Sequence, residues 1–238
     1  MSRALAVIGP AAVALALGAS GLSACAQPAA AGMTDHTGRF GGLEVRYKVY
    51  LPPGYDPAKA YPAVLVFTGG PQRLEMAENT INTDWKPEAD KRGYIVVSPA
   101  APDAGLFFQG GDRAFPAFLD ALKRDYRISK LHIAGHSNGG LSAFHIAARY
   151  PDRFATVTGY PGLLDDGQPL QRLKGMCVYM HVGENDPGWK GAMQEEADAM
   201  RRDGFRVRFT VEPNQVHRLK AAQLDLPRRL FDEIESCK

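Results

Sequence analysis

The segment IAGHSNGGLSAF, residues 133–144, places Ser137 between Gly135 and Gly139. An apolar run precedes the serine, and small and apolar residues with helical periodicity follow it. A sharp strand-to-helix turn strains the serine backbone and brings the flanking positions so close to neighbouring backbone that glycine is favoured. N–H groups at the start of the following helix favour negative charge beside the serine. The pattern predicts a nucleophilic Ser137; the alternative is a serine in a glycine-rich loop, and partners elsewhere in the chain must decide between them.

Short apolar runs alternate with amphipathic segments along the chain. The predicted strands are residues 43–51, 63–67, 94–98, 131–134, 154–159, 176–182 and 207–211. The predicted helices are the end of 75–92, residues 112–126, the segment after Ser137, residues 192–202 and a C-terminal helix around 226–234. Continuous apolar runs are typical of parallel strands buried on both faces. The alternation therefore predicts a mostly parallel central sheet with helices on both faces, which carries function in loops at the carboxyl ends of its strands.

Two more polar residues follow predicted strands. Asp186 ends the segment Gly-Glu-Asn-Asp after the run 176–182, and His217 ends Glu-Pro-Asn-Gln-Val-His after the last run. A serine hydroxyl becomes nucleophilic when a base takes its proton and an acid orients that base. We therefore expect Ser137, Asp186 and His217 to form a catalytic triad, with Glu184 as the alternative acid.

Three motifs resemble those of one enzyme superfamily. They are GHSNGG at residues 135–140, Tyr-Pro-Asp-Arg-Phe at 150–154 and Gly-Glu-Asn-Asp at 183–186. On these motifs the chain resembles the α/β-hydrolase superfamily over residues 43–217, and within it the polyhydroxybutyrate-depolymerase and feruloyl-esterase type of serine esterase. The resemblance implies an α/β-hydrolase fold and cleavage of an ester through an acyl-enzyme, without a cofactor.

The resemblance also implies an oxyanion hole built from two backbone N–H groups. One belongs to Asn138, directly after the serine. The other comes from the segment TGGPQ at residues 68–72, where relatives carry His-Gly-x-x-Gln. We expect it at Gly70, because Pro71 has no N–H to donate. Thr68 stands where relatives have the histidine.

The loops around the predicted triad contain aromatic side chains. Phe107, Phe108 and Trp189 border them and are candidates for the substrate pocket, although ordinary packing is the alternative. After the strand that ends near Gly159, residues 160–175 are too few for a large cap domain. An open site is expected, which suits soluble esters or ester groups on a polymer.

The remaining histidines and cysteines carry weaker signals. His132 and His181 fall inside predicted strands and are expected in the core, whereas His136 is expected to point outward from the turn. Cys177 and Cys237 are left after the N-terminal region, and both a disulfide and an unpaired, buried Cys177 are open. No spacing of cysteine and histidine resembles a metal site, and we expect no metal.

The N-terminal residues predict export. Residues 1–24 resemble a secretory signal peptide, with Arg3 before an uncharged run of apolar and small residues. The tetrad Leu-Ser-Ala-Cys ending at Cys25 resembles the lipobox of bacterial lipoproteins, so Cys25 is the expected lipidation site. The alternative is ordinary cleavage after Ala26. We expect a tether at residues 25–40, a catalytic domain at 41–238, and a periplasmic or cell-surface lipoprotein held to a membrane by its lipid.

Composition excludes some functions and leaves others open. The 238 residues carry a formal charge of +2 from interspersed signs, and no basic run suggests nucleic-acid binding. The favoured function is a serine carboxylesterase acting on a polyester oligomer, an acyl- or feruloyl-carbohydrate or a small soluble ester. The alternatives are a peptidase or acyltransferase on the same triad, or an inactive hydrolase-fold binding lipoprotein.

Overall fold

The computed structural model describes residues 31–238 except 104 and 165–166, and its centre is an eight-stranded sheet. The strands are β1 (Gly32–Phe40), β2 (Leu43–Leu51), β3 (Tyr61–Phe67), β4 (Ile95–Pro99), β5 (Ile128–Gly135), β6 (Thr156–Gly159), β7 (Cys177–Gly183) and β8 (Arg206–Glu212). Their order across the sheet is β1-β2-β4-β3-β5-β6-β7-β8. The last six strands in this order, which are β4, β3, β5, β6, β7 and β8, run parallel to one another. By contrast, β1 and β2 are antiparallel to their neighbours.

Helices connect the strands. They are α1 (Leu74–Thr80), α2 (Lys86–Arg92), α3 (Phe115–Asp125), α4 (Asn138–Arg149), α5 (Pro187–Arg202), α6 (Ala221–Leu224) and α7 (Leu226–Ser236), with a π-helix at Ile81–Trp85. Short 3-10 turns lie at Phe107–Gln109, Gly111–Ala114, Pro151–Arg153 and Leu170–Leu173. Within the described ranges, none of these helices combines the length and apolar character needed to cross a membrane.

Two apolar cores lie on opposite faces of the sheet. Successive side chains of β3 show the division: Ala63, Leu65 and Phe67 belong to one core, and Val64 and Val66 belong to the other. The first core packs against α3, α4 and α5, and the second against the π-helix, α2 and α7. Because both faces are covered, the central strands are apolar on both sides, as parallel strands require. The predicted architecture is confirmed.

The N-terminal boundary of the domain differs from the prediction. The tether expected at residues 25–40 is wrong for its second part, because Gly32–Phe40 forms β1 and pairs along its length with β2. Gly41 and Gly42 both have positive φ, 55° and 80°, which a two-residue hairpin turn of this kind requires. This glycine pair is the signal in the sequence for the hairpin that connects β1 to β2. The signal peptide, Cys25 and the start of the tether lie outside the described residues.

The connection after β6 agrees with the expected absence of a large cap. Its described residues form a short segment with one 3-10 turn, Leu170–Leu173, before β7 begins at Cys177. The cysteine question is answered by a disulfide: Cys177 bonds Cys237, with 6.0 Å between their Cα atoms. It joins the first residue of β7 to the residue after α7 and so holds the C-terminal helix to the sheet.

A buried ionic cluster joins the last two strands to α7. His181 on β7 lies between two carboxylates, with Nδ1 2.9 Å from Glu212 and Nε2 2.7 Å from Glu233. Arg229 donates two hydrogen bonds to Glu212, at 2.9 and 2.7 Å. Burial alone would lower the pKa of His181, but its hydrogen bonds to both carboxylates raise it. Burial likewise opposes ionisation of Glu212, yet its bonds to His181 and Arg229 lower its pKa to about 2.

The cluster predicts a pH dependence of stability. Because the pKa of His181 is raised in the folded state, its charge stabilises the fold fully below pH 6.5, the ordinary pKa. This stabilisation is lost as the pH rises through the folded-state pKa. Because the pKa of Glu212 is lowered in the folded state, its charge stabilises the fold above pH 4.5, and this stabilisation is lost as the pH falls towards 2. We expect His181→Gln to cost about 3 kcal/mol in the free energy of unfolding, because it removes the cation that lies between the buried carboxylates of Glu212 and Glu233. In urea unfolding, this cost should be larger at about pH 5.5 than at about pH 9.

His132 provides the matched control for this measurement. It is buried on β5 with Nδ1 2.9 Å from the Thr156 hydroxyl, and burial lowers its pKa to about 4. A lowered histidine pKa contributes stability above 6.5 and loses it as pH falls. The cost of His132→Gln should therefore be smaller at the acidic pH, opposite to His181→Gln. The same pH trend in both variants would contradict the assignment of a charged His181.

Candidate active site

Ser137 lies on a strained turn between β5 and α4. Its φ of 59° and ψ of −124° are unfavourable for a residue with a side chain, and its N–H donates to the Pro161 carbonyl at 2.8 Å. Glycine is required around it: a Cβ on Gly135 would lie 2.0 Å from the Gly139 oxygen. A Cβ on Gly139 would lie 2.2 Å from the Phe67 oxygen on β3. The glycines predicted from the sequence therefore let the turn approach neighbouring backbone and expose the serine at the end of the sheet.

The three residues expected to form the triad meet at this end of the sheet. The Nε2 atom of His217 lies 2.8 Å from the Ser137 hydroxyl, and its Nδ1 atom lies 2.9 Å from Oδ2 of Asp186. Asp186 is 6% exposed, whereas the serine and histidine are half-buried. With Nδ1–H donated to the buried carboxylate, Nε2 is left to accept the serine proton. The geometry is thus the one in which a histidine can take the proton of a serine hydroxyl, and the serine is partly exposed.

The structure distinguishes the two candidate acids. Glu184 is exposed, and its carboxylate accepts the N–H of Asn214 at 2.9 Å instead of contacting His217. Asn214 has a φ of 57°, so this bond supports a left-handed turn in the loop that carries His217, called here the histidine loop. Gly183 lets that loop approach the turn that carries Asp186, since a Cβ on Gly183 would lie 2.4 Å from the Val216 oxygen. The acid beside the histidine is therefore Asp186, while Glu184 acts on the shape of the histidine loop.

The two expected oxyanion donors lie side by side. The N–H groups of Gly70 and Asn138 are not used by the turns and loops around them: among the described residues, no backbone carbonyl of a turn, loop or cap accepts either one. The Asn138 side chain donates from Nδ2 to the Gly70 carbonyl at 3.0 Å, which joins the two halves of the site. Gln72 supports them from below: it is buried, and its Nε2 lies 2.9 Å from the Ser142 hydroxyl and 3.3 Å from the Asn138 carbonyl. Two free donors beside the serine are the arrangement that stabilises an oxyanion.

Two cavities meet at Gly70. One of about 720 Å³ is bounded by the segment 68–72 that carries Gly70, called here the oxyanion loop, and by α1, the π-helix, His136 and the segment after His217. The other, of about 430 Å³, lies between Gly70, Asn138 and the loop after β4. A volume of several hundred Å³ suits a small-molecule group. The two expected oxyanion donors are thus bordered by cavities large enough for a small-molecule group.

The expected aromatic pocket is partly wrong. Trp189 lies beside the site, with its ring centroid 5.4 Å from that of His217. Phe107 is fully buried in the core, where its ring packs edge-on against Phe67 and Phe115, so it does not contact substrate. Phe108 is half-buried and borders neither of the two cavities. The position of an aromatic residue in a loop near the active face therefore does not tell whether its side chain lines the pocket or packs into the core.

His136 was expected to point outward, and this is wrong. Its ring lies between those of His217 and Tyr160, with centroid distances of 5.4 and 5.9 Å. Burial, together with the charges of nearby cations, lowers the pKa of His136 to about 4, so it is neutral at pH 7. A Cβ on Gly69 would lie 2.6 Å from its Nδ1 atom, so the oxyanion loop packs directly on this ring. His136 therefore packs against both the histidine and the oxyanion loop without adding charge.

Comparison with known proteins identifies the class. A family model for the alpha/beta hydrolase fold matches residues 62–233. The chain belongs to this family, in agreement with its sheet order, its strained serine turn and the chain order of its serine, aspartate and histidine.

Particular relatives include both esterases and a peptidase. The chain is 29% identical over 136 residues to dipeptidyl-peptidase 5 of Porphyromonas gingivalis, a match covering 49% of this chain and 19% of that protein. It therefore spans only about a fifth of that relative's length. A ferulic acid esterase structure has a TM-score of 0.67 at 19% identity, covering 84% of this chain and 98% of the other. The S-formylglutathione hydrolase of Agrobacterium tumefaciens has a TM-score of 0.63 at 17% identity, covering 87% and 95%. At these identities the structural likeness concerns the fold.

The geometry predicts unequal effects for the two acidic residues of the turn. Asp186→Asn should slow the reaction of Ser137 with a fluorophosphonate by roughly four orders of magnitude, because the amide favours the wrong tautomer of His217. Glu184→Gln keeps an oxygen for the Asn214 N–H and should change the rate by less than about tenfold. The rates are measured by active-site labelling of variants with matched unfolding midpoints. A larger loss in Glu184→Gln would exchange the roles of the two residues.

Proposed function

We propose that the protein is a serine carboxylesterase. The observation that carries the proposal is the continuous hydrogen-bonded relay Ser137–His217–Asp186, with both contacts at 2.8–2.9 Å. In the first half-reaction, His217 takes the hydroxyl proton while the serine oxygen attacks the ester carbonyl. The N–H groups of Gly70 and Asn138 bind the resulting oxyanion. Collapse of the tetrahedral intermediate transfers the proton from His217 to the leaving alcohol and leaves an acyl-serine.

The second half-reaction repeats these steps with water. His217 removes a proton from a water molecule, which attacks the acyl carbonyl, and the same N–H groups bind the second oxyanion. The proton then returns to the serine oxygen as the acid product leaves. Asp186 stays ionised throughout and stabilises the imidazolium formed in each half. The chemistry needs only these side chains and backbone groups.

Soluble esters and ester groups on a polymer are the proposed substrates, because the open site suits them better than interfacial lipids. The fold is shared with a ferulic acid esterase and an S-formylglutathione hydrolase, and the segment after β6 carries no cap-sized insertion among its described residues. A polyester oligomer, an acyl- or feruloyl-carbohydrate and a small soluble ester all fit such a site. Hydrolysis of short-chain, feruloyl and hydroxybutyrate esters, compared in one panel, assigns the acyl group.

A peptidase is the second candidate, and the match to dipeptidyl-peptidase 5 favours it. The same relay transfers acyl groups from amides when the leaving amine receives the histidine proton. Dipeptidyl anilides included in the ester panel separate the two activities. A kcat/KM for an anilide above that for every ester would replace the esterase proposal with the peptidase. An acyltransferase would instead form a new ester when an alcohol is added, and a hydrolytically inactive binding protein would fail to react with a fluorophosphonate.

Replacing the nucleophile gives the direct test. We expect Ser137→Ala to lower kcat for 4-nitrophenyl butyrate by about a million-fold, because the relay then has no attacking oxygen. The measurement is steady-state hydrolysis, with circular dichroism and the unfolding midpoint as controls for the fold. A variant that retains a tenth of the wild-type rate would show that another group performs the attack.

We further propose that the enzyme is a lipoprotein attached through Cys25. The support is the sequence Leu-Ser-Ala-Cys after an uncharged apolar run. Several acyl chains on one terminus give stable membrane anchoring, whereas one chain binds reversibly. Because β1 begins at Gly32, such an attachment would hold the catalytic domain close to the membrane, and we propose the periplasm or the cell exterior as its location.

Loss of the lipidation site should change location and leave catalysis unchanged. We expect Cys25→Ser to move the protein from the detergent phase to the aqueous phase in a two-phase extraction, with an unaltered kcat/KM for 4-nitrophenyl butyrate. Mass spectrometry of the wild-type N-terminus provides the control. Wild-type protein found in the aqueous phase, with a mass that fits cleavage after Ala26, would contradict the lipoprotein proposal alone.

A further inference from the structure

One carboxylate in the cavity beside the oxyanion loop takes no part in the relay. Asp84 lies on the π-helix Ile81–Trp85 and borders the 720 Å³ cavity together with Gly70 and His136. Ile81 and Trp85 at the ends of this helix are fully buried, so the segment is fixed to the core. Single π turns within helices occur frequently at functional sites. The cavity therefore connects a rigidly placed carboxylate with the site of ester cleavage.

The surroundings of Asp84 leave its charge poorly compensated. Its closest hydrogen-bond partner is the hydroxyl of Tyr160, at 3.5 Å from Oδ2, and that hydroxyl already accepts the Trp85 indole N–H at 3.0 Å. Among the described residues no lysine or arginine forms an ion pair with it, and Arg218 acts only at longer range. Burial, the largest effect, raises the pKa of Asp84 to about 6, so it is mainly ionised at pH 7. A desolvated carboxylate without a close cation is unfavourable unless a ligand supplies one.

We propose that Asp84 binds a positively charged ammonium group of the ester substrate, held in the 720 Å³ cavity beside the oxyanion loop. This inference rests on the proposed esterase function, because it names the class of ester that the same site accepts. The ester carbonyl lies at Gly70 and Asn138, and the charged group extends towards the π-helix. The cavity wall also offers the apolar side chains of Met76, Leu219 and Leu226, which suit the carbon chain between the two.

The cations around the cavity do not favour an anionic substrate to the same extent. Arg218 and Lys220 are exposed on the segment after His217, where water can hydrate them without a ligand. Glu75 on α1, which borders the same cavity, is also exposed and offsets one of their charges. Asp84 differs from all three because it is held against the buried ring of Tyr160. The fixed charge that a ligand must neutralise is therefore negative.

Substrate pairs of equal shape and different charge test the proposal. Acetylcholine and 3,3-dimethylbutyl acetate place the ammonium or its neutral isostere on the alcohol side. The pair 4-nitrophenyl 6-aminohexanoate and 4-nitrophenyl heptanoate does so on the acyl side. The wild-type enzyme should prefer the charged member of at least one pair in kcat/KM. Asp84→Asn should reduce that charged-to-neutral ratio by about tenfold, the size expected for one hydrogen bond to a charged group. Glu195→Gln, an exposed carboxylate on α5 outside the cavity, is the matched control and should leave the ratio unchanged.

A binding measurement separates this proposal from the esterase proposal. Ser137→Ala, which cannot turn over substrate, should bind hexyltrimethylammonium chloride in calorimetry, and adding Asp84→Asn should weaken that binding by about tenfold. This arm supports the ammonium site even if fluorophosphonate labelling disproves the nucleophile. The ammonium proposal would be overturned if the charged-to-neutral ratio of kcat/KM were equal in wild type and Asp84→Asn. It would also be overturned if Ser137→Ala did not bind hexyltrimethylammonium. A preference for a carboxylate-bearing ester that Arg218→Gln removes would overturn it as well.

Discussion

The hydrogen bond from Ser137 to His217 joins the ends of β5 and β8, which lie three positions apart in the sheet. Such a bond requires the intervening loops to approach one another closely, and the contacts are made by backbone. Gly139 abuts the Phe67 carbonyl, and Gly183 abuts the Val216 carbonyl, at distances that exclude a Cβ. The strained serine turn is tolerated because buried strands fix it on both sides. Sheet packing is thus the condition for the catalytic geometry.

Much of this arrangement was predictable from the sequence because its causes are local or topological. Apolar runs such as residues 63–67 indicate buried parallel strands, and a parallel sheet brings the loops after those strands to one edge. That rule, together with the chain order serine, acid, histidine, predicted that Ser137, Asp186 and His217 meet. The disulfide between Cys177 and Cys237 remained open, because pairing depends on where α7 packs against β7. The hairpin that makes β1 was missed because its strand is polar and its signal is a glycine pair.

Side-chain direction was the part that sequence could not supply. Phe107 and Trp189 both lie in loops near the active face, yet one packs into the core and the other beside His217. His136 was expected to point outward and instead packs against His217. In each case the neighbours that decide the orientation come from distant segments of the chain. Residues 75–92 were recognised as partly helical, but the π turn that carries Asp84 is a deviation in register that no periodicity indicates.

Two acidic sites, a buried one at Glu212 and a half-buried one at Asp84, show how the fold distributes charge. Glu212 is deep in the protein but is neutralised by His181 and by a bidentate Arg229, so its charge stabilises the junction of β7, β8 and α7. That junction immediately precedes the turn that carries His217, and its function is structural. Asp84 is half-buried and faces a cavity instead of the core, and among the described residues no lysine or arginine forms an ion pair with it. Among the described residues its close hydrogen-bond partner is the Tyr160 hydroxyl, and the ammonium group proposed above would supply the counter-charge that His181 and Arg229 give to Glu212.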